Sequence, residues 1–155
     1  MTNRLDVASA APSVLTLFQG QAFALTKASA VEPKLDELVK IRVSQLNGCA
    51  NCLNMHTNDA RTIGETEQRL DLLAAWREAP CYSERERAAL EWAEAMTRLA
   101  QGHEYETAYE NFREHFTPEE QVKLTMTINI ISSWNRIAVG FGVFADAATL
   151  AKIKA

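Results

Sequence analysis

Apolar residues along this chain recur at intervals of three and four and almost nowhere alternate, a pattern that predicts helices and leaves no sheet to organise the fold. A first helix is expected over residues 12–29, where Val14, Leu17, Phe18, Ala22 and Leu25 follow helical spacing with one polar lapse at Gln21. A second starts at Pro33, carries Leu35, Leu38, Val39, Val43 and Leu46, and stops at Asn47-Gly48, where glycine can take the left-handed conformation. A third runs from the cysteines that follow to about residue 63, before Gly64. Thr66 opens a short helix through Trp76, and Ser83 with Glu86 forms a capping box that opens a longer one over 84–101. A shorter, more polar helix is expected over 105–116.

A second capping box, Thr117 with Glu120, opens the last and most apolar helix. Val122, Met126, Ile130, Trp134, Ile137 and Phe141 form one stripe, and Leu124, Ile128 and Ile131 begin another. Such a helix has to be covered, as the central member of a bundle or within a subunit interface. It does not read as a membrane span, since only 12 uncharged residues separate Lys123 from Arg136. No internal repeat is visible, and 155 residues suit one domain, 1–155.

Composition narrows the function classes. A net charge of -4 and a pI near 5.4 provide no basic face for phosphates, so no nucleic-acid partner is expected. The apolar stretch 14–25 superficially suggests a secretory signal. Asp6 sits where such a signal would be basic, and Pro12, Gln19, Gly20 and Gln21 break its apolar core, so a cytoplasmic protein is expected. Three cysteines, with Cys81 far from the others, do not make a secreted disulfide framework.

The chemistry concentrates between residues 37 and 56. Cys49 and Cys52 are separated by two residues and His56 follows four positions on, so a helix stacks thiol, thiol and imidazole on one face. A thiol reacts as thiolate and needs help to ionise from its ordinary pKa of about 8.5. Position in the first helical turn after Gly48 supplies one kind of help and favours Cys49; a proton acceptor one turn away, His56, favours Cys52. Whichever attacks, the other can condense with its sulfenic acid to a disulfide. Glu37 joins them by geometry: measured from a tight turn at Gly48, at about 1.5 Å per residue, it lies about 16 Å up one helix and His56 about 12 Å up the other. A carboxylate there can orient the imidazole, directly or through a water. Two readings compete: zinc held by the cysteine pair and His56, with its fourth ligand drawn from Cys81, His103 or His115, none at a recognised spacing, and two cysteines that serve only as small buried hydrophobes.

Glu37, eleven residues, Cys49-x-x-Cys52, three residues and His56, then Asp59-Ala60-Arg61 and Ala75-Trp76-Arg77-Glu78, resemble the AhpD-like branch of the carboxymuconolactone decarboxylase family. The similarity extends to residues 84–90 and to Trp134-Asn135-Arg136. This resemblance implies an all-α, AhpD-like helical bundle, with a hairpin carrying the CxxC motif and a long buried C-terminal helix. It further implies a homo-oligomer, trimer or hexamer, and a peroxidase that reduces hydroperoxides and is recharged by a dithiol or thioredoxin-like donor. By the same likeness Cys52 is the attacking thiolate, Cys49 the resolving thiol, and Glu37 with His56 the proton relay. The chain departs from the best-studied kind of member at Asn51, where that kind has a second histidine. No cofactor or metal is implied. The alternatives are a lactone decarboxylase-like acid-base enzyme on the same scaffold, which would not need the cysteines, and a zinc-binding or assembly module.

The remaining candidates have structural readings. Cys81 is expected to be a half-buried spectator, and His103 and His115 are assigned to helix ends without a role. Trp76, Trp92 and Trp134 are expected as core or interface anchors. Arg136, on an apolar helix, is expected to be a buried cation facing the site or a neighbouring subunit.

Overall fold

The computed structural model describes residues 4–102 and 105–144. Among these residues every regular element is helical: α1 (Val7–Ala10), α2 (Pro12–Ala28), α3 (Pro33–Leu46), α4 (Ala50–Thr62), α5 (Glu67–Leu72), α6 (Glu84–Thr97), α7 (Tyr105–His115) and α8 (Pro118–Phe141). Short 3-10 turns follow α5 at Leu73–Ala75 and α6 at Leu99–Gln101. The all-α expectation holds, with the predicted boundaries met within a few residues.

The helix starts are chemically explicit. Ser83 and Thr117 each accept the backbone N–H three residues on, while Glu86 and Glu120 reach back to the cap, completing both capping boxes. Thr66 caps α5 through the N–H of Arg69. At the far end of α8, Gly142 turns left-handed at φ 72°. The Arg4 guanidinium donates to the Val139 and Gly140 carbonyls there at 2.8 Å each, a cation at the negative helix end. The helix expected over 84–101 stops earlier: Arg98 leaves helical geometry and the chain tightens into the 3-10 turn, whose shorter-range bonds satisfy the final carbonyls before Gly102.

The central helix is α3, which packs against α4, α6 and α8. Its sequence is apolar on more than one face. Leu35, Val39 and Val43 enter a cluster with Cys49, Cys52, Phe112, Leu124, Ile128 and Ile131. Leu38 and Ile41 point into another with Leu73, Trp76 and Leu90. Arg42, only 9% exposed, is tolerated between them because it donates through Nε to Glu94 at 2.7 Å. Glu94 is itself 1% exposed and also accepts from Trp76 Nε1 at 2.8 Å and Arg77 Nη1 at 2.7 Å. Burial pushes this carboxyl up, but those donors outweigh it and hold it below the ordinary glutamate value. Trp76 is thus a core anchor with its polar edge satisfied.

The last helix buries one stripe and shows the other. Leu124, Thr127, Ile128, Ile131, Ser132, Asn135 and Ala138 face inward. Val122 is 60% exposed, Met126 and Phe141 are also exposed, and Ile130, Trp134 and Ile137 are half-buried. In α2, which lies against α8, Ala22 is buried, whereas Val14, Leu17, Phe23 and Leu25 are exposed. Phe18 meets Trp134 at a ring-centroid distance of 4.6 Å. Arg136 is not the buried cation expected: one position after inward-facing Asn135, it rotates onto the exposed side.

Arg85 ties four elements together, pairing with Glu32 before α3 at 2.8 Å and Glu120 of α8 at 2.7 Å and donating to the His115 carbonyl that ends α7. The Arg85 hydrogen bond, helped by Thr117 against slight desolvation, lowers Glu120 from 4.5 to about 2. Glu37, Glu86 and Glu94 are lowered too. Groups whose folded values are depressed stabilise fully above their unfolded value and lose that contribution as pH falls through the folded one. The urea midpoint is therefore expected to hold above pH 4.5 and fall continuously towards pH 2. A midpoint flat across that window would contradict these ion pairs.

Candidate active site

The site is built where α3 turns into α4. Gly48 takes φ 64°, the left-handed step that lets the chain reverse immediately. Cys49 is the N-cap of α4: its N–H donates to the Ser44 carbonyl at 3.0 Å, and its sulfur accepts the N–H of Cys52 at 3.3 Å. The two cysteines are joined in a disulfide with Cα atoms 5.4 Å apart, and both are buried. The turn is clamped to α8 by Asn135, which accepts from Asn47 Nδ2 at 2.9 Å and donates to Ser44 Oγ at 3.1 Å. Asn135 is 2% exposed and Ser44 is also buried, so the inner part of this polar chain is paired within the protein, with Asn47 at its half-buried edge.

One turn beyond Cys52, His56 is buried, with Nδ1 2.9 Å from Glu37 Oε2. The hairpin thus brings carboxylate and imidazole into direct contact with no intervening water. Asp59 approaches the same nitrogen at 3.9 Å from the next turn of α4. The hydrogen bond to Nδ1 leaves Nε2 as the ring nitrogen free to exchange a proton with a reactant. Burial pushes Glu37 up, but hydrogen bonds from His56 and Lys40, with the charge of Lys40, bring it below the ordinary range, so the carboxylate is ionised at neutral pH.

Three participants were missed in the sequence. Lys40 donates to Glu37 Oε1 at 2.8 Å and pairs with Asp36 Oδ2 at 2.5 Å; Thr127 of α8 donates to Asp36 Oδ1 at 2.9 Å. Asp36, Glu37 and Lys40 at positions i, i+1 and i+4 were a readable signal of paired charges on one helix face. Thr127 carried none. A cavity of about 110 Å³ lies beside this cluster, lined by Lys40, His56, Met55, Ile130, Ile131 and Trp134 with Thr26 and Thr127. Cys49 borders a separate, much smaller cavity of about 20 Å³ with Asn51, Ala138, Val139 and Val143.

The other candidates stay apart. Cys81 is free and half-buried, as expected, and His115 ends α7 away from the cysteines. His103 lies outside the described residues. The zinc arrangement considered from the sequence needs thiolates on Cys49 and Cys52, which are joined in a disulfide in this state and would be available to a metal only after reduction. Among the described residues the potential metal-ligating group is Glu37, His56 and Asp59, whose ligand atoms lie within 4.8 Å of one another. The Lys40 ammonium on Glu37 opposes a cation there.

An all-helical bundle that presents a disulfide-forming CxxC pair beside a Glu–His contact defines an AhpD-like protein. The chain belongs to the carboxymuconolactone decarboxylase family, whose model matches residues 12–95. It is 49% identical over 117 residues to the uncharacterized protein YdfG of Bacillus subtilis, covering 76% of this chain and 80% of that one. Among solved structures, it is similar to a protein of unknown function from Agrobacterium tumefaciens, proposed as the antioxidant defence protein AhpD. That match has TM-score 0.85 and 40% identity, and covers 90% of this chain and 95% of that one. The debrominase Bmp8 shares the fold at TM-score 0.79 and 19% identity, over 94% of this chain and 78% of that one. Among the described residues no helix is long and apolar enough to cross a membrane.

Proposed function

We propose that this chain is a thiol-dependent peroxidase that reduces hydroperoxides through Cys52 and Cys49, with Glu37 and His56 as its proton relay. The observation that carries this reading is the direct Glu37–His56 contact one helical turn from a cysteine already able to close a disulfide with its neighbour. Family membership and the likeness to the Agrobacterium structure support it at the level of the family.

In the reduced protein His56 takes the Cys52 proton, with Glu37 stabilising the resulting imidazolium. The Cys52 thiolate attacks the terminal oxygen of a hydroperoxide, the O–O bond breaks, and the departing alkoxide takes a proton from His56 to leave as alcohol. Cys52 is then a sulfenic acid. The Cys49 thiol attacks that sulfur, expelling water and forming the disulfide. A dithiol or thioredoxin-like donor returns two electrons and two protons by thiol–disulfide exchange. This cycle suits the reducing cytoplasm. Cys49 at the helix N-cap is well placed as the leaving thiolate in that last step, because the first-turn N–H groups stabilise its charge.

The working form in this reading is a homo-oligomer, trimer or hexamer. Its subunits would cover the apolar surface that α2 and α8 leave open, from Leu17 at 68% exposure to Val122 at 60%. Light scattering of the purified protein should return a mass three or six times that of the 17.3 kDa chain. A monomer would contradict this part of the proposal.

Peroxide consumption by the purified protein, run with a panel of dithiol donors, tests the function. Turnover should require a donor, and Glu37→Gln should lower it by about 10²–10³-fold while the fold is retained, the size usually carried by positioned acid-base groups. Absence of donor-dependent turnover rejects the peroxidase. Activity retained with both cysteines changed to serine would point instead to acid-base chemistry of the lactone decarboxylase kind.

A further inference from the structure

We propose that Lys40 is a positioning residue of the relay, one that fixes Glu37 through Oε1 so that Oε2 is presented to His56, and whose charge sets the pH above which the pair accepts the thiol proton. The proposal rests on the peroxidase reading for its meaning but stands on geometry of its own.

The two oxygens of Glu37 are divided between two donors: Lys40 Nζ lies 2.8 Å from Oε1 and His56 Nδ1 2.9 Å from Oε2. A carboxylate held at one oxygen loses rotational freedom before it meets the imidazole, so the relay is preorganised. Lys40 is fixed in turn. Its ammonium reaches Asp36 Oδ2 at 2.5 Å, and Asp36 is held by the Thr127 hydroxyl at 2.9 Å, so a side chain of α8 anchors the far end of the chain of contacts. Exposed lysines seldom hold a single geometry, because ordering a long side chain costs entropy. The Lys40 side chain is only 12% exposed, and its opposing burial and carboxylate contacts resolve in favour of the charged form.

The charges around the pair fix the direction of the effect. From α3 come Asp36 and Lys40, and from α4 comes Asp59. The residues that α2 and α8 contribute to the adjoining cavity are uncharged: Thr26, Thr127, Ile130, Ile131 and Trp134. Lys40 is therefore the cation paired with Asp36 and Glu37, while Glu37 and Asp59 are the carboxylates that approach His56. Removing it makes the site more negative and every proton release harder, so the relay should stay protonated to higher pH.

The test reads the thiolate directly. In reduced protein carrying Cys49→Ser and Cys81→Ser, so that Cys52 is the one thiol left, the ultraviolet absorbance of the thiolate is followed against pH, with and without a change at Lys40. Lys40→Met should move the Cys52 thiolate limb upward by about one pH unit, equivalent to about a tenfold loss of thiolate at a fixed pH on that limb. Lys40→Arg, which keeps the charge, should restore it to within about 0.3 unit. If the Met variant does not fold, Lys40→Gln removes the charge while keeping an N–H towards Glu37 and should move the limb similarly. A limb that stays in place without the charge, or one that Arg fails to restore, overturns the proposal; a change in melting temperature alone would mark Lys40 as structural. The readout uses neither peroxide nor donor, so the two ideas fail separately. A moved limb in a protein without turnover would reject the peroxidase and keep the role of Lys40, and an unmoved limb in an active protein would do the reverse.

Discussion

A Cys52→Ser variant is expected to reduce donor-dependent peroxide consumption to the uncatalysed level while keeping its fold. The hydroxyl fills the space of the buried thiol, but it is not ionised by a neighbouring imidazole to the extent a thiol is, and it cannot form a disulfide. Cys49→Ser should behave differently. If Cys52 attacks as proposed, that change removes only the resolving step, so one equivalent of peroxide should still be reduced before turnover stops. Single-turnover and steady-state rates on the two variants separate the roles. If Cys52→Ser consumes peroxide and Cys49→Ser does not, the helix-end position of Cys49 governs reactivity and the assignments are reversed.

The second large effect concerns the fold. Glu94→Ala should destabilise the protein by about 3–5 kcal/mol, the usual consequence of removing one partner of a buried ion pair and leaving the other without its counter-charge. Arg42 and the Trp76 indole would both lose the acceptor that makes their burial tolerable. Against a typical total of about 5–15 kcal/mol this is a large fraction, and at this chain length it lowers the melting temperature by on the order of 10 °C. Thermal and urea unfolding measure it. A loss below about 1 kcal/mol would mean that the Arg42–Glu94–Trp76 cluster is much less important to the core than its burial implies.

Local chemistry was legible in the sequence and long-range coverage was not. Both capping boxes and the stop at Gly48 depend on local spacings, which helical geometry converts directly into contacts. Even the Glu37–His56 contact followed, because a tight turn halfway between two helices sets their levels. The central position of α3 was missed: Arg42 and Ser44 are polar residues, and nothing nearby in the sequence reveals that Glu94 and Asn135, 52 and 91 residues away, satisfy them. The open stripe on α8 shows the same limit, since apolar periodicity reports that a surface needs covering and not what covers it. Arg136 was misplaced for that reason, having been given the burial of the helix as a whole. Lys40 lay between these cases. Its pairing with Asp36 is a simple i, i+4 match, but its importance depends on Thr127, which only the packing of α8 supplies.

The most direct measurement is to treat reduced Cys49→Ser protein with one equivalent of an alkyl hydroperoxide in the presence of a sulfenic-acid trapping reagent, and to locate the adduct by peptide mass spectrometry. The account predicts a stoichiometric adduct on Cys52, formed more slowly when Glu37 is changed to Gln. An unmodified Cys52, with the peroxide left unconsumed, would contradict it.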